Sequence, residues 1–177
     1  MTAFGLRIGH GYDVHRLLGS DSVDPQARSL VLGGVAVDSE LRVVAHSDGD
    51  VLLHALIDAL LGAAGLGDIG RLFPDSDAQW AGAPSTGLLA AAYQQVTAAG
   101  WSLVNADLTL VAQRPRIAAY VPQMRVVIAE VLEIDEGTIS VKATTTEKLG
   151  FEGRGEGIAA HAVVLLHGPA HDGRKRE

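Results

Sequence analysis

From Asp48 to Ala64 the apolar residues Val51, Leu52, Ala55, Leu56, Ala59 and Leu60 recur at spacings of three and four. That periodicity predicts a helix. Asp48 is placed to cap it, with acidic Asp50 in the first turn. Asp50, His54 and Asp58 stand at i, i+4 and i+8, so they share one face of an otherwise very apolar helix. A helix of this kind has to lie against something apolar, and the segments around it supply candidates.

Before the helix, Arg7–His15 reads as a strand, Gly19–Ser29 as a polar loop, and Leu30–Val37 as a second strand interrupted by Gly33 and Gly34. After it, Gly65–Pro84 is rich in glycine, aspartate and proline and reads as a loop long enough to be a lid. Thr86–Ala99 predicts a second helix, capped by Ser85 and stopped at Gly100. Leu103–Ala112 alternates as a strand should, and Ile117–Leu132 predicts a third helix with Pro122 near its start. Ile139–Thr146 reads as a strand, Glu147–Gly157 as a glycine-rich loop, and Ile158–Leu166 as a final strand. The charged tail from His167 to Glu177 is expected to be disordered. Two strands, two helices, a strand, a helix and two strands favour an α+β fold. The expected form is a two-layer α/β sandwich with helices on one face of a mixed sheet. The uncovered face of such a sheet calls for cover by further subunits.

A length of 177 residues suits a single domain spanning 1–177, with a core of about 7–166. The formal charge of −7 comes without a basic stripe, which argues against a nucleic-acid or anionic-membrane partner. No run of about 18 apolar residues is present, so no membrane span is expected. Met1–Arg7 lacks the pattern of a secretory signal, and the expected location is the cytoplasm. With no cysteines, disulfides and thiolate metal sites are excluded. Any metal has to be held by histidine and carboxylate.

Asp13 and His15 are two apart on a strand, so both side chains point to one side. An Asp-x-His at a strand end is by itself more often a solvated turn. His54, on the helix after His46-Ser47-Asp48-Gly49-Asp50, offers a third ligand with a carboxylate near to orient it. Two histidines and an aspartate make the three-ligand, open-position arrangement of catalytic zinc. The Thr144-Thr145-Thr146-Glu147 run offers hydroxyls and backbone N–H groups to phosphate oxygens, and Glu147 suits a harder cation. The same run also fits an ordinary β-branched strand and turn. Gly153-Arg154-Gly155-Glu156-Gly157 is not a dinucleotide fingerprint, because it precedes a strand; Arg154 and Glu156 are placed to pair with each other. His10, His161, His167 and His171 have no helpful neighbours in sequence.

Several segments together resemble the cyclodiphosphate synthase family of the non-mevalonate isoprenoid pathway. They are Arg7–His15, Ala45–Asp50 with His54, Gly67–Asp75, Gln113–Arg116, Pro122–Arg125 and Val141–Gly157, in order from Arg7 to Leu166. The resemblance implies a lyase that converts 4-diphosphocytidyl-2-C-methyl-D-erythritol 2-phosphate to a cyclic diphosphate and CMP, within a homotrimer whose active sites lie between subunits. It implies zinc on Asp13, His15 and His54, magnesium or manganese on Glu147, and transition-state stabilisation by His46 and Thr145. Asp13, His15, His46, Ser47, Asp68, Ile69, Gly70, Phe73, Asp75 and Asp77 would meet the methylerythritol and its phosphates. Ala112, Pro115, Arg116, Ala118, Thr144, Thr145, Thr146 and Glu147 would form the cytidine and diphosphate pocket. Phe151 and Arg154 would line a cavity on the trimer axis that accepts an isoprenoid diphosphate. Arg116 stands where the family commonly has lysine, and His161 where other polar residues occur. The same zinc ligands would also serve a phosphoesterase that activates water, and the axial cavity a trimeric isoprenoid-diphosphate-binding protein.

Overall fold

The computed structural model describes residues 4–74, 80 and 82–169. Strand β1 (Phe4–Gly19) is followed by three short strands, β2 (Ala27–Ser29), β3 (Val31–Leu32) and β4 (Val35–Ala36), and by β5 (Leu41–Val44). Then come α1 (Val51–Ala64), α2 (Ile69–Leu72), α3 (Ser85–Ala98), β6 (Ser102–Val111) and α4 (Val121–Leu132). The chain continues through β7 (Ile139–Thr144), α5 (Gly150–Gly153) and β8 (Gly157–Pro169). Six strands form one sheet in the order β2-β5-β1-β8-β6-β7. All pairings are antiparallel except β6 with β7, so the sheet is mixed.

Helix α1 explains the layering. Eleven of its fourteen residues are buried, because the sheet lies on one side and α3 on the other. A helix that is apolar nearly all round is stable only when covered nearly all round. It lies on β1 so closely that side chains there are impossible. A Cβ at Gly9 or Gly11 would stand 1.9 Å from the carbonyl oxygen of Ala59 or Ala55. The alternating residues of β1 point the other way, and Leu6, Ile8, Tyr12 and Val14 are exposed on the far face of the sheet with Val104 of β6 and Val163 of β8. Helices therefore cover one face only.

Several sequence-based boundaries change. The expected Leu30–Val37 strand is a hairpin of β3 and β4, turned at Gly33 and Gly34, whose φ angles are +58° and +76°. The expected Gly19–Ser29 loop contains β2, and β5 was not anticipated. Strands β1 and β8 extend past their predicted ends because they pair with each other from Phe4↔Pro169 to Arg16↔Gly157. His167–Pro169 thus belong to a strand rather than to the tail, and residues 170–177 lie outside those described. The loop regions after α1 and β7 hold the single-turn helices α2 and α5. Helix α4 begins at Val121 with Pro122 in its first turn; Ile117–Tyr120 is a turn leading into it.

Candidate functional site

Asp50, not Asp48, caps α1. Its backbone is non-helical and its Oδ1 accepts the N–H of Leu53 at 3.1 Å. The same carboxylate is fully buried and accepts N–H groups from Gly33 at 2.9 Å and Gly34 at 2.6 Å. Burial pushes its pKa up to about 6, against the three N–H donors, with the nearby charge of Asp48 adding to the rise. Asp50 therefore turns away from His54, and the expected polar stripe is not one surface. Asp58, at its other end, accepts the N–H of Ile69 at 2.8 Å and so positions α2.

His54 meets a different set of groups. Its Nδ1 lies 3.0 Å from Asp13 Oδ2 and 3.1 Å from His15 Nε2, and His15 Nε2 lies 3.1 Å from Asp13 Oδ2. Strand β1 supplies two corners of this near-equilateral triangle and α1 the third. Burial raises the Asp13 carboxyl, but its bonds to the two imidazoles outweigh that and hold it well below the usual carboxylate range. Burial disfavours a charged His54, but the bond and charge of Asp13, with the nearby charges of Asp50 and Asp48, more than reverse it and lift the imidazole above its ordinary value. The field that holds a proton at this spot would hold a cation equally well.

The other ring nitrogen decides which way the lone pair faces. Ser85 is fully buried and donates its hydroxyl hydrogen to Asp48 Oδ1 at 2.5 Å. Its oxygen is left to accept from His54 Nε2–H at 2.9 Å, with Ser47 Oγ at 3.3 Å from the same nitrogen. With Nε2–H committed to Ser85, a metal that displaced the Nδ1 proton would meet the Nδ1 lone pair directed toward Asp13 and His15. The arrangement is that of a metal-ligating histidine whose second nitrogen is tied back. Ser85 is not the cap that its place before α3 suggests: Pro84 occupies that position, and Asp48 reaches over to accept the Ser85 N–H at 2.8 Å. Neither Ser85 nor Asp48 was identified as a site residue from sequence, since Ser85 lies 31 positions from its imidazole partner.

The donor atoms fit a divalent ion. Ligands about 2.0–2.2 Å from a tetrahedral zinc stand about 3.3 Å apart, close to the 3.0–3.1 Å edges seen here. Asp13, His15 and His54 are the cluster of this kind found among the described residues.

The triangle opens into a cavity of about 350 Å³. His46, Ser47, Ile69, Gly70 and Phe73, all anticipated, line it. So do Gln26, Val44, Ala45, Trp80 and Leu88, which were not. Phe73 and Trp80 meet edge to face, with ring centroids 4.9 Å apart. Asp68 caps α2 just outside, accepting the N–H of Arg71 at 2.8 Å. Asp75 and Asp77 lie outside the described residues.

The remaining anticipated residues are elsewhere. Thr144 pairs with Val111, Val111 with Ala159, and Ala159 with Val14, so Thr144 is three strands from β1. At about 4.8 Å per strand this is about 14 Å. Beyond it, Thr145 Oγ1 donates to Glu147 Oε1 at 2.8 Å. Glu147 and Lys148 take left-handed backbone angles of 53° and 67°, a rare conformation for such residues. Ala112, Pro115, Arg116 and Ala118 follow β6 at the same end, in a segment that contains a cis Arg114–Pro115 bond. Arg154 and Glu156 form the expected pair, with two contacts of 2.9 Å, and Phe151 packs over Gly157.

Comparison with known proteins agrees with this construction. The profile of the YgbB family matches residues 6–167. Proteins named 2-C-methyl-D-erythritol 2,4-cyclodiphosphate synthase in Yersinia pestis and Yersinia pseudotuberculosis are 56% identical over 161 residues, 91% of this chain and 96% of theirs. The bifunctional IspDF of Campylobacter jejuni superposes with a TM-score of 0.86 at 46% identity, over 94% of this chain and 43% of that one. The chain thus spans under half of that longer protein. IspF of Plasmodium falciparum, in complex with CDP, superposes with a TM-score of 0.79 at 38% identity, over 93% and 97% of the two chains. With the profile matched along nearly its whole length, this chain belongs to the YgbB family.

Proposed function

We infer that the chain is a cyclodiphosphate synthase. It converts 4-diphosphocytidyl-2-C-methyl-D-erythritol 2-phosphate to 2-C-methyl-D-erythritol 2,4-cyclodiphosphate and CMP. The observation that carries this reading is the Asp13–His15–His54 triangle at the wall of a cavity, in a chain 56% identical to proteins of that name. In this reaction an oxygen of the 2-phosphate attacks the β-phosphorus, forming one P–O bond. The bond from that phosphorus to the bridging oxygen breaks, and CMP departs with the oxygen. On this chemistry the enzyme is a phosphorus–oxygen lyase. The nucleophile belongs to the substrate, so no protein nucleophile is required.

Asp13, His15 and His54 would hold zinc, and Glu147 magnesium or manganese. Such ions supply charge withdrawal from phosphate oxygens and fix the approach of one anion to another. The protein's share is positioning. Ser85 and Asp48 hold the His54 ring. His46 and Thr145 are assigned hydrogen bonds to phosphate oxygens as charge moves. Ile69, Gly70 and Phe73 hold the methylerythritol, with Asp68, Asp75 and Asp77 at its hydroxyls. The 112–118 segment and Thr144–Glu147 take the cytidine and its phosphates, a reading supported by the CDP complex of the Plasmodium relative. An intramolecular attack held in near-attack geometry gains about 7–11 kcal/mol over a bimolecular one.

Two features support a homotrimer with sites between subunits. The separation of about 14 Å between β1 and Thr144 puts Thr145 and Glu147 too far from the triangle to grip the same phosphate within one chain. The exposed apolar face of the sheet is a surface for neighbours to cover. We propose that the whole chain acts as one such domain, with Phe151 and Arg154 facing the trimer axis, where an isoprenoid diphosphate would bind.

The test is turnover of the diphosphocytidyl substrate with zinc and magnesium, followed by phosphorus NMR. One CMP per cyclic diphosphate, with no free phosphate, is the expected outcome. Release of inorganic phosphate would make the protein a phosphoesterase, and zinc uptake without turnover a binding protein.

A further inference from the structure

Around the middle of β1 and β8 the uncovered face of the sheet is largely apolar, with Ile8, Val14 and Val163 exposed, and two histidines stand among these residues. His10 of β1 and His161 of β8 were expected to stand alone, and they do not. The two strands place His10 opposite Val163 and Tyr12 opposite His161, so the two histidines are diagonal neighbours on one face. His10 Nε2 lies 3.1 Å from His161 Nδ1, and the rings are stacked with centroids 5.4 Å apart. Tyr12 packs on His161 from the other side, at 4.9 Å between centroids. β1 pairs with β8 from Phe4↔Pro169 to Arg16↔Gly157, so both imidazoles stand on continuously paired backbone.

When both rings are neutral, a single proton lies between the facing nitrogens. A metal ion can take that proton's place, because neutral imidazole nitrogens are the preferred ligands of late first-row divalent ions. The spacing suits this exchange. Two nitrogens 3.1 Å apart, each about 2.0–2.1 Å from one ion, subtend about 95–100° there. That angle falls between the square-planar and tetrahedral values. The nearest carboxylate along the sheet, Asp107 opposite Val163, is engaged by Lys142 at 2.5 Å, which leaves a donor pair of nitrogen alone.

We propose that His10 and His161 form a second metal site, a two-imidazole chelate for Cu2+, Ni2+ or Zn2+ on the sheet face opposite α1. The site is separate from the Asp13 cluster, which lies on the other face of β1. It is present in each chain whether or not copies of the chain cover the surface. A bound ion would tie β1 to β8 and place charge in the middle of an apolar surface.

The experiment uses untagged full-length protein whose Asp13 cluster is first filled with one equivalent of zinc, then titrated with Cu2+ and followed by electron paramagnetic resonance. The wild type is expected to show copper with two equatorial imidazole nitrogens and a micromolar dissociation constant. His161→Ala, His161→Gln and His10→Ala should each weaken that signal at least tenfold, while Asp13→Ala should leave it in place. One such ion per chain would complete the site within a chain, and one per assembly would share it between copies; both require the pair. Copper binding that is unchanged in His161→Ala, or that disappears in Asp13→Ala, would overturn the proposal. Cyclisation is measured on the same His161 variants, so that failure of the synthase reading and failure of this site are told apart.

Discussion

Ser85 has a hydroxyl with two duties: it gives its hydrogen to Asp48 and receives one from His54. Removing it leaves the His54 ring freer to rotate or to change tautomer, with only Ser47 Oγ, at 3.3 Å, near its Nε2. Ser85→Ala is expected to weaken zinc binding about 10–100-fold, the usual effect of losing the group behind a ligating histidine. Competition with a chromogenic chelator measures it, and unchanged zinc affinity would remove Ser85 from the positioning role. Asp13 and His15 were legible from sequence because alternation on a strand is local. Their grouping with His54 rests on ligand type and helix position and is strengthened by the resemblance, because 41 residues separate Asp13 from His54. The second partner of His54 was not readable at all. Nothing in the chemistry of a serine before a helix distinguishes a cap from a buried relay.

At the scale of elements, one carboxylate joins the β3–β4 turn to the start of α1. Asp50 titrates at about 6 in the fold, against an ordinary 3.8. Between those values the folded chain keeps a proton that the unfolded chain has lost. The associated stability is complete below about pH 4 and is lost as pH rises through about 6. Asp50→Asn removes this dependence together with one of the acceptors. Urea unfolding in the presence of chelator should therefore find the wild type's advantage over the variant larger at pH 4.5 than at pH 7, by about 1–3 kcal/mol. A gap that does not change with pH would show that Asp50 stays ionised throughout. Helix positions were largely visible in the apolar periodicity, since α1, α3 and α4 each fall within a few residues of expectation. The small strands β2 and β5 were not visible. They are short and partly exposed, and it is pairing, of β5 with β1 and of β2 with β5, that makes them strands.

For the whole molecule, the side of the sheet away from the helices exposes Leu6 at 67% and Ile8 at 76%. Under the proposed function, this exposed apolar surface and the split between the Asp13–His15–His54 triangle and the Thr144–Glu147 turn make a second copy the expected partner. Sedimentation velocity should find three chains together. Ile8→Asp places an unpaired charge in the centre of that surface; it should give single chains that retain zinc and lose at least 100-fold in turnover. Full activity from a monomeric wild type would refute the shared site. The expectation of assembly comes from a sheet with helices on one side. The distance within one chain between the triangle and Thr144 was not legible, because it depends on strand order, and the order β1-β8-β6-β7 places β8 and β6 between β1 and β7.

The glycines of β1 bear on how the chain avoids folding wrongly. Gly9 and Gly11 lie against the backbone of α1, where even a methyl group would stand 1.9 Å from a carbonyl oxygen. His10 and Tyr12 lie between and beyond them on the opposite face. If β1 slipped by one residue against β8, every side chain would change faces. An imidazole and a phenol would then be driven into the helix where no atom fits. The mistaken pairing could not close over α1, so the contact that makes the native layers tight also rejects the nearest wrong alignment before the core can form around it.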